Sequence, residues 1–125
     1  MKVGFRMVEN QKIEIAHNFF NKVNITRKVF KTFLNEYQLS IYDIELLLII
    51  YEANSIQLKN IYKNETIKMS QINKSVKKLY DFNLITKKRV PEDERTVILC
   101  INQERKEEVK HIIHHFSSMI KKVYR

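Results

Sequence analysis

The stretch Lys68–Ile101 reads KMSQINKSVKKLYDFNLITKKRVPEDERTVILCI, and its hydrophobic period changes halfway. Ile72, Val76 and Leu79 stand at i, i+4 and i+7, the spacing of one helix face. Ser70 stands where an N-cap is expected. Asp81-Phe82-Asn83 closes the helix, with Asn83 suited to the left-handed position that usually takes glycine. From Leu84 the pattern turns to that of extended chain. Leu84–Val90 forms one strand, and Pro91-Glu92-Asp93-Glu94 is turn chemistry. In Thr96–Ile101, Val97, Leu99 and Ile101 alternate with Thr96, Ile98 and Cys100, which is a second strand. An amphipathic helix followed at once by a hairpin is the piece around which the rest is arranged.

Working outward, Gln57–Lys63 reads as a short helix with Leu58, Ile61 and Tyr62 inward, followed by a turn over Asn64–Lys68. Before it, Ser40 with Asp43 three residues on gives an N-cap and an acidic first turn. The helix they open carries Ile44, Leu46, Leu47, Leu48, Ile49, Ile50 and Tyr51, is apolar nearly all round, and is expected at the centre of the core until Asn54-Ser55 ends it. Between about Val8 and Tyr37, Ala16, Val23, Phe30 and Tyr37 lie seven apart, with Phe19, Phe20, Phe33 and Leu34 filling alternate positions. A helix of roughly 25 residues stands clear of so small a body. So many exposed phenylalanines would make a sticky patch, so the stripe is expected to be buried partly against a second copy. Downstream, Asn102 opens a last helix whose Glu104, Glu107 and Glu108 come first and Lys121, Lys122 and Arg125 last, matching the helix dipole. Its apolar stripe is Val109, Ile112, Ile113, Phe116, Met119, Ile120 and Val123.

Composition agrees with long helices. Among 125 residues there is one Gly (Gly4) and one Pro (Pro91), so folds and phosphate loops that consume glycine are excluded. With 44% hydrophobic residues the chain can bury a core. The single Cys100 excludes an intrachain disulfide and a zinc-ribbon ligand set. The first residues, MKVGFRMVENQK, lack the apolar core of a signal peptide, and the longest apolar run, Ile44–Tyr51, is far too short to span a bilayer. A cytoplasmic protein is therefore expected. No nucleophile–base pair or paired carboxylates can be picked out, so no enzyme and no cofactor are expected.

The net charge of +9, from 23 Lys+Arg against 14 Asp+Glu, attracts polyanions. A short helix, a turn and a second helix make a helix-turn-helix, whose second helix lies in the DNA major groove, and a hairpin just after it is a wing. With Ile72, Val76 and Leu79 inward, the opposite face is Gln71, Lys74, Ser75 and Lys78. Gln suits adenine edges, Lys reaches guanine or phosphate, and Ser bonds either. On the hairpin, Lys87-Lys88-Arg89 climbs one side and Arg95 starts the other, which suits phosphate contact and an arginine in a narrow minor groove. Asp93 and Glu94 are expected to brace the Arg95 guanidinium by bidentate hydrogen bonds and to cap the turn.

Lys87-Lys88-Arg89, three intervening residues, then Asp93-Glu94-Arg95-Thr96-Val97 resembles the wing signature of the SarA-like branch of the MarR family. Lys68–Lys78 (KMSQINKSVKK) with Leu84-Ile85 resembles that branch's recognition helix and the start of its wing, and the likeness runs from about Leu39 to Ile113. It implies a homodimeric winged-helix DNA-binding regulator in which Arg89 and Arg95 contact DNA while Asp93 and Glu94 position the wing. Pro91 departs from the pattern and should stiffen the tip.

The expected fold is mainly α with a small β-hairpin wing: a winged helix-turn-helix with long N- and C-terminal helices. One domain covers 1–125, with a dimerisation helix at about 8–37, the helix-turn-helix at 58–82, the wing at 84–101 and the C-terminal helix at 103–124. The expected DNA-binding residues are Ser70, Gln71, Lys74, Ser75, Lys78, Lys87, Lys88, Arg89, Asp93, Glu94 and Arg95. The expected dimer interface holds Phe19, Phe20, Val23, Phe30 and Phe33. The expected partners are double-stranded DNA, in AT-rich promoter regions, and a second copy of the chain, with no membrane.

Two other readings use the same charge. A module binding an acidic protein would work through the aromatic stripe, and a peripheral membrane protein would need a strongly basic amphipathic helix, which the first segment matches only in part. His111, His114 and His115 index away from the apolar side of the last helix, and with no third ligand in register no metal site is expected. Cys100 reads as a small half-buried apolar residue on a strand.

Overall fold

The computed structural model describes residues 2–63 and 66–124, with backbone alone for 2–7. Among these residues, five α-helices and three strands follow one another as α1 (Lys2–Tyr37), α2 (Ile41–Ala53), β1 (Ser55–Gln57), α3 (Leu58–Tyr62), α4 (Met69–Asp81), β2 (Ile85–Val90), β3 (Asp93–Ile101) and α5 (Lys106–Ile120). Short 3₁₀ turns, Gln103–Arg105 and Lys121–Tyr124, flank α5. The architecture is mainly helical with a small antiparallel sheet.

The boundaries follow from local chemistry. Helix α1 runs unbroken through Gly4 for 36 residues, longer than the apolar repeat marks out, and stops where Gln38 turns to φ 59° and donates its N–H to the Leu34 carbonyl at 3.0 Å. A reciprocal capping box opens α2: the Asp43 N–H donates to Ser40 Oγ (3.3 Å) and the Ser40 N–H to Asp43 Oδ2 (2.8 Å). Helix α4 ends on Asn83 at φ 61°. The Asn83 N–H bonds the Tyr80 carbonyl (2.9 Å) and the Leu84 N–H bonds that of Leu79 (3.0 Å), the paired closure of a Schellman motif. Its start differs from expectation. Lys68 occupies the N-cap with no side-chain cap bond, so Ser70 lies inside the first turn and does not cap.

The hairpin is not isolated. Strand β1 pairs with β3 (Ser55↔Cys100, Ile56↔Leu99, Gln57↔Ile98), giving the order β1-β3-β2. Three residues are too few to show an alternating pattern, which is why β1 is invisible in the sequence. Its effect is to tie the wing's long strand to the end of α2 and to the start of α3.

The core is built around α2, whose Ile44, Leu46, Leu47 and Ile50 are buried, as its all-round apolar surface requires. Leu79 of α4, Leu99 of β3 and Val109 and Ile112 of α5 are among the residues buried with it. Among the described residues of α1, Val29 and Phe33 are the buried ones. Phe33 is 1% exposed, with its ring 5.2 Å from Tyr37, 5.0 Å from His115 and 5.4 Å from Phe116. It therefore fills its own chain's core and is not free to face a second copy, which corrects its place in the expected interface. Val23 is half-buried, whereas Phe19 and Phe20 are each 60% exposed and Phe30 is exposed as well.

Candidate nucleic-acid interface

Helix α4 lies against α2 with Ile72, Val76 and Leu79 inward. Ser75 joins them at 1% exposure, because a hydroxyl beside two β-branched neighbours is small enough to enter the seam. Asp43, also 1% exposed, lies in the same seam, and its carboxylate takes hydrogen bonds from Lys78 Nζ (2.8 Å) and the Ser40 N–H (2.8 Å). Burial by itself would raise the Asp43 carboxyl. The bonds from Lys78 and Ser40, with the Lys78 charge, outweigh it and hold the group below the ordinary carboxylate range. Ser75 and Lys78 thus turn toward α2 and not outward as expected. Gln71 is half-buried and donates Nε2 to Ser75 Oγ at 3.2 Å, while Ser70 and Lys74 are exposed.

The burial of Ser75 rotates the free face of α4 toward Asn73, Lys77 and Tyr80, at i, i+4 and i+7. The same spacing is present in the sequence, but centring the polar face opposite three apolar positions passes over it. These three residues form one wall of a groove of about 560 Å³, and Lys87 and Arg89 of the hairpin form the other. Lys87 Nζ sits 4.4 Å above the Tyr80 ring, a cation–π contact joining the walls. The Tyr62 hydroxyl of α3 donates to Asn73 Oδ1, fixing the two helices of the helix-turn-helix to each other.

At the hairpin tip the ladder slips. Arg89 pairs with Val97 but Val90 pairs with Asp93, so Glu94, Arg95 and Thr96 are pushed out of register as a bulge. Asp93 organises the bulge through Oδ1, which accepts the Arg95 N–H at 3.0 Å, and Oδ2, which accepts the Thr96 hydroxyl at 2.9 Å. Arg89 Nη1 donates to the Glu94 carbonyl at 2.8 Å. The acidic pair therefore does not grip the Arg95 guanidinium, contrary to expectation. Asp93 holds backbone, and among the described residues the guanidinium has no acceptor. Lys88, Glu94 and Arg95 are exposed. A second hollow of about 350 Å³, between α3 and the tip, places Lys59 and Tyr62 opposite Arg95. Lys59, Asn73, Lys77 and Tyr80 line these hollows, and the periodic reading leaves all four out of the candidate interface.

Away from this face, His115 departs from the indexing that put all three histidines on the polar side. Its ring packs on Phe33, and Nδ1 lies 2.7 Å from the Tyr37 hydroxyl. Burial, aided by the Glu36 carboxylate, pushes the Tyr37 hydroxyl up. Among the described residues no three His, Cys, Asp or Glu are grouped to hold a metal, and no helix is long and apolar enough to cross a membrane. Cys100 is half-buried on β3.

A family profile described as "Transcriptional regulator SarA/Rot" matches residues 28–112. The chain is 30% identical over 112 residues to the HTH-type transcriptional regulator SarR of Staphylococcus aureus, across 88% of this chain and 97% of that protein. Among solved structures, MarR superposes with a TM-score of 0.70 at 17% identity, covering 88% of this chain and 80% of that one. Reduced AbfR bound to DNA superposes with a TM-score of 0.57 at 18% identity, covering 86% and 83%. At such identities the structural likenesses establish the fold, the winged helix of MarR-like regulators, while the profile and the SarR match carry the function.

Proposed function

Since this chain belongs to the SarA/Rot family of transcriptional regulators, and so is a DNA-binding winged-helix regulator and not an enzyme, we propose how it meets DNA. It acts in the cytoplasm as a homodimer joined through α1, lays the exposed face of α4 in the major groove and sets the hairpin at the adjacent minor groove. The observation that carries the reading is the groove walled by Asn73, Lys77 and Tyr80 on one side and Lys87 and Arg89 on the other, with an exposed Arg95 at the tip whose guanidinium has no acceptor among the described residues. Three cations converge there, and Lys88, Lys74 and Lys59 lie exposed on the same elements. An exposed arginine on a projecting bulge suits a narrow, AT-rich minor groove.

Support for the dimer is physical. Every residue from Val8 to Lys22 is exposed, so none of that stretch of α1 is buried by its own chain. A helix in water draws most of its stability from burying an apolar face, and Ile15, Phe19 and Phe20 offer one to a second copy. Two-fold symmetry then presents two α4 helices to half-sites about one helical turn apart, roughly 34–36 Å.

The test is a fluorescence-anisotropy titration of AT-rich and GC-rich duplexes at several salt concentrations with wild type and Arg95→Ala. The expected result is tighter binding to AT-rich duplex, a steep fall with salt, and loss of the AT preference in Arg95→Ala with an unchanged melting curve. Equal affinity of the two proteins for every duplex would overturn the placement of the wing.

A further inference from the structure

We propose that Asn73 clamps a DNA phosphate and that Tyr62, anchored at the edge of the core, positions the Asn73 amide to do so. The inference rests on the DNA-binding reading above and assigns a backbone contact to an uncharged pair whose hydrogen bond joins α3 to α4.

The two hollows beside α4 meet along this pair. Asn73 lines the groove that also holds Lys77, Lys87 and Arg89, and Tyr62 lines the smaller hollow with Lys59 and Arg95. Leu58 and Val97 line both, so the hollows adjoin across the Tyr62–Asn73 bond. Five cations thus flank one neutral ridge. Asp93 is the one carboxylate among the lining residues, and its oxygens accept the Arg95 N–H and the Thr96 hydroxyl. Cations on both sides of a ridge suit a nucleic-acid strand lying across it. The ridge itself then has to offer donors, because a phosphate oxygen can only accept.

Asn73 offers them. A side-chain amide has an acceptor end and a donor end. The Tyr62 hydroxyl, which can give its proton, takes the acceptor end by donating to Oδ1. The two Nδ2 hydrogens are left for a phosphate, with no protein partner among the described residues. A bidentate adenine contact needs acceptor and donor together, so the paired asparagine is not equipped for one. Asn73 is the fifth residue of α4, one turn before Lys77, on the side of the helix that faces the hairpin. A lone asparagine on an exposed helix samples several rotamers and loses that freedom when it binds. The Tyr62 ring packs against the core, and its hydroxyl holds the amide beforehand, so affinity rises without a further contact to DNA. Tyr62 is therefore a positioning residue, and Asn73 the one that touches the phosphate.

The experiment selects a duplex from a random library with wild type. Anisotropy titrations against salt then compare wild type, Tyr62→Phe, Asn73→Ala and the double variant on it. Asn73→Ala should bind about tenfold more weakly, the loss of a hydrogen bond to a charged group. Tyr62→Phe should bind about threefold more weakly through lost preorganisation. The double variant should be no weaker than Asn73→Ala. All four should keep the wild-type salt slope, since an amide displaces no counterion, and the wild-type preferences when single base pairs are exchanged. Asn73→Asp, which keeps an acceptor for Tyr62 but sets a charge against the phosphate, should be weaker still than Asn73→Ala. An Asn73→Asp protein that binds like wild type would show a merely structural bridge and overturn the clamp. A loss that varies with the base pair would move Asn73 to a base edge, with the same consequence. A double variant weaker than Asn73→Ala would mean that Tyr62 meets DNA itself, which overturns its positioning role. Equal affinity of all the proteins for a tightly bound duplex refutes this inference alone, whereas a wild type that binds no duplex refutes the DNA reading with it.

Discussion

Helices α1 and α4 are both amphipathic and both lysine-bearing, yet they settle their apolar faces differently. Helix α4 spends its face inside its own chain, with Ile72, Val76 and Leu79 buried, and presents lysines and amides outward. Helix α1, among its described residues, buries Val29 and Phe33 alone and leaves Ile13, Ile15, Phe19, Phe20 and Leu34 exposed. What is left over determines the partner. A polar, cationic remainder suits a polyanion, whose attraction is long-ranged and weakened by salt. An apolar remainder suits a protein surface, whose attraction is short-ranged and indifferent to salt. On the proposed reading one chain therefore carries two interaction faces with different physical signatures, and each can be broken separately.

The sharpest break lies within α1. Phe33→Ala should destabilise each subunit by about 4 kcal/mol, because a fully enclosed ring leaves a cavity. Urea denaturation followed by circular dichroism measures this. Phe20→Asp, thirteen residues before it on the same helix, should leave the winged body folded. It should turn the dimer into a monomer in sedimentation equilibrium and remove the concentration dependence of the melting temperature. If Phe33→Ala merely dissociated a dimer, or Phe20→Asp unfolded the body, the division of α1 into a core half and a partner half would be wrong.

These two phenylalanines also mark how far the sequence was legible. A heptad of apolar residues announces that a stripe exists, and the stripe is real, but its spacing cannot tell which turns meet α5 and which project beyond it. Hence Phe33 reads like Phe19. The same holds for α4. Ile72, Val76 and Leu79 are legible because they repeat at helical spacing, and Asn83 because a left-handed stop demands a residue of its kind. The bond between Asp43 and Lys78 joins residues 35 apart with no period to announce it, and it is what pulls Ser75 inward and turns Asn73, Lys77 and Tyr80 out. At the wing, the cations are legible by type. That Asp93 would hold the Arg95 backbone and not its guanidinium depends on the three-residue slip in the ladder, a feature of pairing that a single strand's sequence does not carry.

Within α4 the comparison sharpens to two adjacent lysines. The Lys78 side chain is 37% exposed with its ammonium on buried Asp43, and that of Lys77 is 78% exposed with a surface pair to Asp81 at 3.2 Å. Lys78→Met should cost about 2 kcal/mol, since it leaves a buried carboxylate without its cation. The pH dependence fixes the sign. Asp43 titrates lower in the folded chain than in the unfolded one, so its stabilisation is fully present above the unfolded carboxylate value and is lost as pH falls through the folded one. Without Lys78 the opposing effect of burial gains weight and the group moves up. The variant should therefore lose less stability than wild type on acidification, as urea midpoints measured across the acid range would show. Parallel acid profiles for the two proteins would mean that Lys78 does not hold the Asp43 charge.

Lys77→Met carries the smallest effect and the cleanest distinction. An exposed i,i+4 pair contributes little, so the melting curve should shift within about 0.5 kcal/mol of wild type. Lys77 nevertheless lines the groove between α4 and the hairpin, where a phosphate contact releases one counterion. The slope of log affinity against log salt should therefore fall by about 1, with affinity lowered by a similar factor on AT-rich and GC-rich duplexes. A phosphate carries no sequence, so an unequal loss would place Lys77 on a base edge. An unchanged slope would remove it from the interface and return the free face of α4 to Lys74. Set beside Lys78→Met, which changes stability and acid response, Lys77→Met changes DNA affinity and its salt dependence and leaves stability alone. Two neighbours on one helix then report separately on the face that folds the protein and the face that meets DNA.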